Sequence, residues 1–527
     1  MADQQPTETV ETTDTNLGDE ETTEDAQPVA DTGKTEIDES AERTEETEET
    51  EGTDTDQVPG TPVEEENTEE EDLPGTVIPE AVTTEVVTPM LLAEVTPRAG
   101  AITDAASLKE ALKAAADAED KTVTLTQDIE TAETISIPAG VTLDGDGKKI
   151  TAANGLSGHL LQITNGTVTI RDLTVDGNRN GKSGIHAYAG SDDNTTVTME
   201  SITIQDCDNA GLLVNGATVT VNGLKTSGNT WGAVNVDQGA AEVLPAFTLT
   251  GEVSMDEDNK IWSESDSKAT IDLSEVEAEL NLVTMKTTGN DEKTYYTNLE
   301  SVNSILTGIT QKPEGQNNYG DATITLTNDV TVCNPENPGN GSAAVTLPDN
   351  VILNGNENTI YASDGWNGTN KSHVLRITDG TVTIQNVTIV GNEDTKSGIL
   401  AWDGTTGDAT RVDLTLDKVT VQNCGNAALQ VNSATVTANN LKTSGNAWGA
   451  VNVDRASNND DLPSFTLNGE GTALQEPTKV WTEIQDPTED VIKGDSSIVT
   501  GTPMTDTNGH TYYGDAIASV TVGETTT

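Results

Sequence analysis

The chain has 527 residues, with 90 acidic against 26 basic side chains and a formal net charge of −64. That charge argues against nucleic-acid binding, which needs Lys and Arg to displace phosphate counterions, and against adsorption to anionic lipid. Aromatics make up only 3% of the chain, and no run of 18 apolar residues offers a membrane span.

The acid is unevenly spread. Residues 1–99 carry 31 Asp/Glu against 3 Lys/Arg, net −28, and residues 100–527 carry 59 against 23, net −36. Thr, Glu, Asp and Pro dominate residues 1–99, which bury too little apolar surface to offset chain entropy; the expectation is a disordered acidic stalk. The opening Met-Ala-Asp-Gln-Gln has neither a basic nor an apolar signal region. Either the protein is cytosolic or, as is expected here, it is secreted or at the cell surface with its signal peptide and anchor missing from this sequence.

Beyond the stalk, a helix opens the first repeat. Asp104 or Thr103 is its N-cap, and Leu108, Ala111, Leu112 and Ala115 share one face. Short strands follow at Thr122–Leu125, Thr134–Ile137, Thr167–Ile170, Thr196–Met199 and Thr218–Val221, punctuated by Gly, Asn and Asp.

The chain then repeats itself. Ile163-Thr-Asn-Gly-Thr-Val-Thr-Ile170 returns as Ile377-Thr-Asp-Gly-Thr-Val-Thr-Ile384. Leu224-Lys-Thr-Ser-Gly-Asn-Thr-Trp-Gly-Ala-Val-Asn-Val-Asp237 returns as Leu441-Lys-Thr-Ser-Gly-Asn-Ala-Trp-Gly-Ala-Val-Asn-Val-Asp454. Lys260-Ile-Trp262 matches Lys479-Val-Trp481, and Thr294-Tyr-Tyr296 matches Thr511-Tyr-Tyr513, with offsets between 214 and 219 throughout. This divides the chain into 1–99, a first repeat at 100–296, a second at 297–513, and 514–527 as a linker or the start of another repeat. The second repeat opens on Val302, Ile305 and Leu306, a shorter version of the same helical stripe. Each repeat is expected to fold alone.

Within the first repeat, Ile185-His-Ala187, Leu212-Leu-Val214 and Val234-Asn-Val236 begin units 27 and 22 residues apart. The turns end in Asn178, Asn209 and Asn229, and in the second repeat in Asn392, Asn426 and Asn446. Asn tolerates the left-handed conformation, so these residues are expected to stack amide on amide from coil to coil. With the capping helix, this pattern resembles the right-handed parallel β-helix superfamily, the pectate-lyase-like fold, over about 100–270 and 300–485. The resemblance implies an all-β solenoid of two tandem modules, each capped by an N-terminal helix. It leaves function open, since the fold carries lyases, hydrolases and many non-enzymatic adhesins.

Signs of catalysis are sparse. The Asn-Thr-Asp, Gly-Asp-Asp, Gly-His-Gly and Arg-Ile-Lys motifs of the superfamily's polygalacturonate hydrolases do not occur. Asp192-Asp193 faces Thr405–Asp408 in the second repeat, and Asp144-Gly145-Asp146 faces Asn354-Gly355-Asn356, so both read as surface turns. His159 and His373 are repeat-equivalent, whereas His186 is replaced by Leu400. Cys207, Cys333 and Cys424 have neither disulfide nor metal-ligand spacing. No catalytic residue, metal or cofactor is assigned. Thr-x-Thr pairs such as Thr167/Thr169 and Thr196/Thr198 resemble ice-binding ranks, but Asp413 interrupts them and Thr is simply a good solvent-facing strand residue.

Strand alternation points Ile185, Ala187, Leu212, Val214, Val234 and Val236 inward. A contiguous outward patch should then contain Tyr188, Asn215, Trp231, Asn235 and Asp237, and in the second repeat Trp402, Asn432, Trp448, Asn452 and Asp454. Aromatics beside amides suit a protein or sugar ligand. The expectation is a non-catalytic adhesion region of a secreted or surface bacterial protein, binding a host glycoprotein, immunoglobulin or glycan through monomeric modules on a longer chain. The alternative is a polysaccharide lyase or glycoside hydrolase.

Overall fold

The computed structural model describes residues 102–514 apart from 191–193, 241–242, 265–267, 290–291, 310–318, 336–340, 367–371, 405–410, 458 and 486–490. The acidic stalk, Asp192-Asp193, Thr405–Asp408 and the tail from 515 lie outside the described residues.

Helix α1 spans Ala105–Asp117, with Asp104 as N-cap in a reciprocal capping box with Ser107. Its buried Leu108, Leu112 and Ala115 join the core of the first coils, and it packs on strands Thr122–Thr124, Ile129–Thr131 and Ile135–Ser136. Helix α2, Val302–Ile309, buries Val302, Ile305 and Leu306 in the same way over the second repeat.

After each helix the chain coils, each turn laying strands in parallel register beside the previous turn. In the second repeat three sheets form the three faces of the coil, represented by Thr381–Gln385, Thr388–Val390 and Ile399–Trp402. In the first repeat two of those faces merge into long bent strands such as Gly166–Asp176 and Thr195–Gln205. This is a parallel β-helix. Alternate side chains fill the coil: Ile185, Ala187, Leu212, Val214, Val234 and Val236 are all fully buried. The two Phe residues, Phe247 and Phe465, are also fully buried at matching positions.

The corners differ from the expected Asn stack. The left-handed rank runs through Asp172, Ser201 and Gly223 in the first repeat, and through Asn386, Lys418 and Asn440 in the second. Of the six turn asparagines only Asn178 has a positive φ. Four of them bond backbone, and Asn229 and Asn446 a carboxylate as well: Asn178 Nδ2 donates to Ala152 O, Asn392 Nδ2 to Ser363 O, and Asn229 Oδ1 accepts from Cys207 N. A buried backbone donor or acceptor must find a partner, and that demand claims the amides first.

The two repeats share a wall. The hairpin of Leu282–Thr287 and Lys293–Asn298 pairs antiparallel with Ile261–Glu264 on one edge and with Ala322–Leu326 on the other. One 15-stranded sheet therefore runs through both repeats. Leu282 belongs to the first core and Tyr296 packs against it, while Val283, Met285 and Tyr295 belong to the second. The repeat boundary at 296/297 falls inside the strand Lys293–Asn298.

Candidate functional site

Parallel register stacks the outward residues of one face into two ranks. Tyr188, Asn215 and Asp237 lie side by side, and so do Trp402, Asn432 and Asp454. All six are half-buried. Their orientations are fixed by neighbours: Asn215 Oδ1 lies 3.0 Å from His186 Nε2, and Asp237 Oδ1 accepts from Glu264 N at 2.7 Å. In the second repeat Asp454 accepts from Glu483 N and from Asn452 Nδ2, both at 2.6 Å, and burial raises its pKa. The Trp402 ring lies so close over Gly404 that a Cβ there would come within 2.1 Å of it.

The neighbouring rank runs His186, Leu213, Asn235, Trp262, and in the second repeat Leu400, Gln430, Asn452, Trp481. Here the expected patch is interrupted. Asn235 is only 3% exposed, paired in register between Leu213 and Trp262, and its Nδ2 has no hydrogen-bond partner among the described residues. Asn452 remains half-buried.

Trp231 and Trp448 lie elsewhere. Each precedes a glycine with an unusual backbone, Gly232 at φ 122° and Gly449 at φ 133°. A Cβ at Gly232 would meet Asn259 O at 2.2 Å, and one at Gly449 would meet Thr478 O at 2.6 Å, so the next coil demands glycine there. This kink resets the alternation: Ala233 and Val234 are both buried, as are Ala450 and Val451. The preceding indoles are left in solvent, 52% exposed at Trp231 and 58% at Trp448. Asp237 stands in the rank of Tyr188 and Asn215, whereas Trp231 precedes the strand Gly232–Asp237 on the far side of the kink.

Trp231 instead borders a cleft of about 800 Å³ where the first repeat meets α2, with Asn259, Trp262, Lys293, Tyr295 and Ile305 among its walls. Lys293 Nζ sits 4.7 Å above the Trp262 ring, and Asn259 Nδ2 donates to Trp231 O. Cleft formation depends on the shared hairpin and on α2, neither of which local patterning relates to Trp231.

Beneath each Trp-Gly kink lies a buried polar cluster that sequence reasoning missed. Thr226 Oγ1 donates to Glu257 Oε2 and Asn229 Nδ2 to Glu257 Oε1, both at 2.6 Å. Thr443, Asn446 and Glu476 repeat it, at 2.5 and 2.6 Å. The usable signal was the presence of Glu257 and Glu476 three residues before the equivalent Lys260 and Lys479.

The other candidates sit in the coil wall. Cys207 and Cys424 are buried, and desolvation pushes both thiols up to about 12. Desolvation likewise lowers His159 to about 4 and His373 to about 3. His373 Nδ1 lies 2.7 Å from Ser397 Oγ, whereas the His159 ring packs on His186 at 4.3 Å between centroids. Arg171 clasps Asp144 at 2.8 Å, which makes the Asp144–Asp146 turn a structural one. Six threonines do form a rank in the first repeat, Thr122, Thr142, Thr169, Thr198, Thr220 and Thr248; Ile352 breaks its counterpart. Among the described residues no group of three or more His, Cys, Asp or Glu is placed to hold a metal ion.

No family model and no curated protein matches the chain. Among solved structures it is similar to the A-module of the mannuronan C-5 epimerase AlgE4 of Azotobacter vinelandii, at 14% identity and a TM-score of 0.26, over 76% of this chain and 97% of that one. It is also similar to the catalytic domain of a GH87 alpha-1,3-glucanase, at 11% identity and a TM-score of 0.23, over 68% and 66%. A third likeness is to an SRRP of L. reuters 100-23, at 13% identity and a TM-score of 0.17, over 75% and 95%. Two of these three proteins are named as enzymes, the epimerase and the glucanase. The likenesses carry no argument about the site.

Proposed function

We propose that the chain is a non-catalytic binding region of a secreted or cell-surface bacterial protein, its two repeats acting as tandem adhesion modules on an acidic stalk. The observation that carries this reading is the pair Trp231 and Trp448. Packing accounts for the glycines that follow them, but nothing in the coil requires an indole, and both rings are more than half exposed in a chain with 3% aromatics. An exposed indole beside amides and a cation suits the apolar face of a sugar ring or a glycoprotein surface. Only Trp231 is flanked by Asn259 and Lys293, but two exposed indoles on one chain still raise avidity without any new chemistry.

The test is to probe the immobilised full chain with a glycan array, mucin and immunoglobulin, and in parallel to incubate it with polyuronates. Capture of a glycan or glycoprotein without turnover is expected. Unsaturated, ultraviolet-absorbing product from a polyuronate would replace the adhesion reading with a lyase.

A further inference from the structure

The same terminal hairpin closes both repeats, and its surroundings differ. In the first repeat Met285 pairs with Tyr295, which pairs with Trp262 on the last coil. In the second repeat Met504 pairs with Tyr512, which pairs with Trp481. The residues and pairings are equivalent; the coverage is not. The outer edge of Leu282–Thr287 is taken by Ala322–Leu326, with Ile324 opposite Met285, and Met285 is fully buried. The strand Met504–Thr505 ends its sheet with no partner on the outer edge among the described residues, and Met504 is 42% exposed.

We infer that the Met504–Tyr513 hairpin is a docking edge for a further β-helix unit of the same kind as residues 297–513. That unit would add its opening strand to Met504–Thr505 as Ala322–Leu326 adds to Leu282–Thr287, and would lay its opening helix nearby as α2 does. An open strand edge offers unpaired N–H and C=O groups to any matching strand, and the seam between the repeats shows which strand this hairpin design accepts. The contact is head-to-tail, so it extends a row of units instead of closing a ring.

The experiment compares the 527-residue chain with an extended one in which a second copy of 297–513 is inserted after Tyr513. Both are exposed to hydrogen peroxide, and oxidation of each methionine is followed by mass spectrometry. In the 527-residue chain Met504 should oxidise at least about tenfold faster than Met285. In the extended chain Met504 should slow to the rate of Met285, and the matching methionine of the last copy should become the fast one. Met504 staying fast beside a folded third unit, seen as added β-sheet circular dichroism, overturns the inference. An added unit that fails to fold overturns it too, because the edge is meant to receive its opening strand. Protection of Met504 in concentrated, unextended chain would overturn the choice of occupant in favour of a second copy.

Discussion

In the first repeat Glu257 takes hydrogen bonds from Thr226 and Asn229 beneath the kink at Gly232; in the second, Glu476 takes them from Thr443 and Asn446 beneath the kink at Gly449. On the outer faces the repeats diverge. Arg171 clasps Asp144 where the second repeat has Gln385 beside Asn354. The difference separates what the coil requires from what it tolerates. Buried polar atoms need their partners, so those positions agree; solvated positions are free to drift. Trp231 and Trp448 break this rule, being exposed and yet the same in both copies. That exception motivates the adhesion reading.

The largest effects are expected in the core. Phe247→Ala and Phe465→Ala should each destabilise by about 3–5 kcal/mol in urea unfolding, and by similar amounts, since each empties a fully buried site. A large inequality would mean the two coils are packed differently. Glu257→Ala should cost about 3 kcal/mol, because it strands the Thr226 hydroxyl and the Asn229 amide, and Glu476→Ala should match it.

The next largest effect belongs to two histidines. Burial holds His159 near 4 and His373 near 3, against an ordinary value of 6.5. The unfolded chain therefore binds protons that the folded chain refuses. Stability should be full above pH 6.5 and fall as the pH drops toward those values. For His373 the slope approaches about 1.4 kcal/mol per pH unit; His159, more open to solvent, should contribute less. Unfolding midpoints at pH 7, 6 and 5 should show the fall, and His373→Gln should flatten more of it than His159→Gln. The smallest effect belongs to an interaction present in one copy only: Arg171→Ala should leave the unfolding midpoint nearly unchanged, as expected for a solvent-screened pair with an exposed guanidinium.

Much of this fold was legible from local pattern. The Asp104 cap, the stripe of Leu108, Leu112 and Ala115, and the inward set from Ile185 to Val236 all follow from periodicity within a few residues. Long-range register was not legible. Asn229 reads as a turn residue until Glu257, a full coil later, is seen to need its amide. Trp231 and Asp237 read as one patch because alternation was carried through Gly232, whose kink resets it. The shared hairpin was missed for the same reason, since Thr294–Tyr296 looked like the end of a repeat while Tyr295 in fact fills the core of the next.

The central claim is that the two exposed indoles bind the ligand. The direct measurement is binding of the full chain and its Trp231→Ala/Trp448→Ala variant to whichever immobilised glycan or glycoprotein the parent captures, with circular dichroism and thermal midpoint recorded alongside. Each indole at the centre of a contact is worth about 2 kcal/mol on truncation. The account predicts at least a roughly tenfold loss of binding in the double variant, larger than in either single one, with an unchanged β-sheet spectrum and midpoint. Binding equal to the parent's, or loss of the fold, would contradict it.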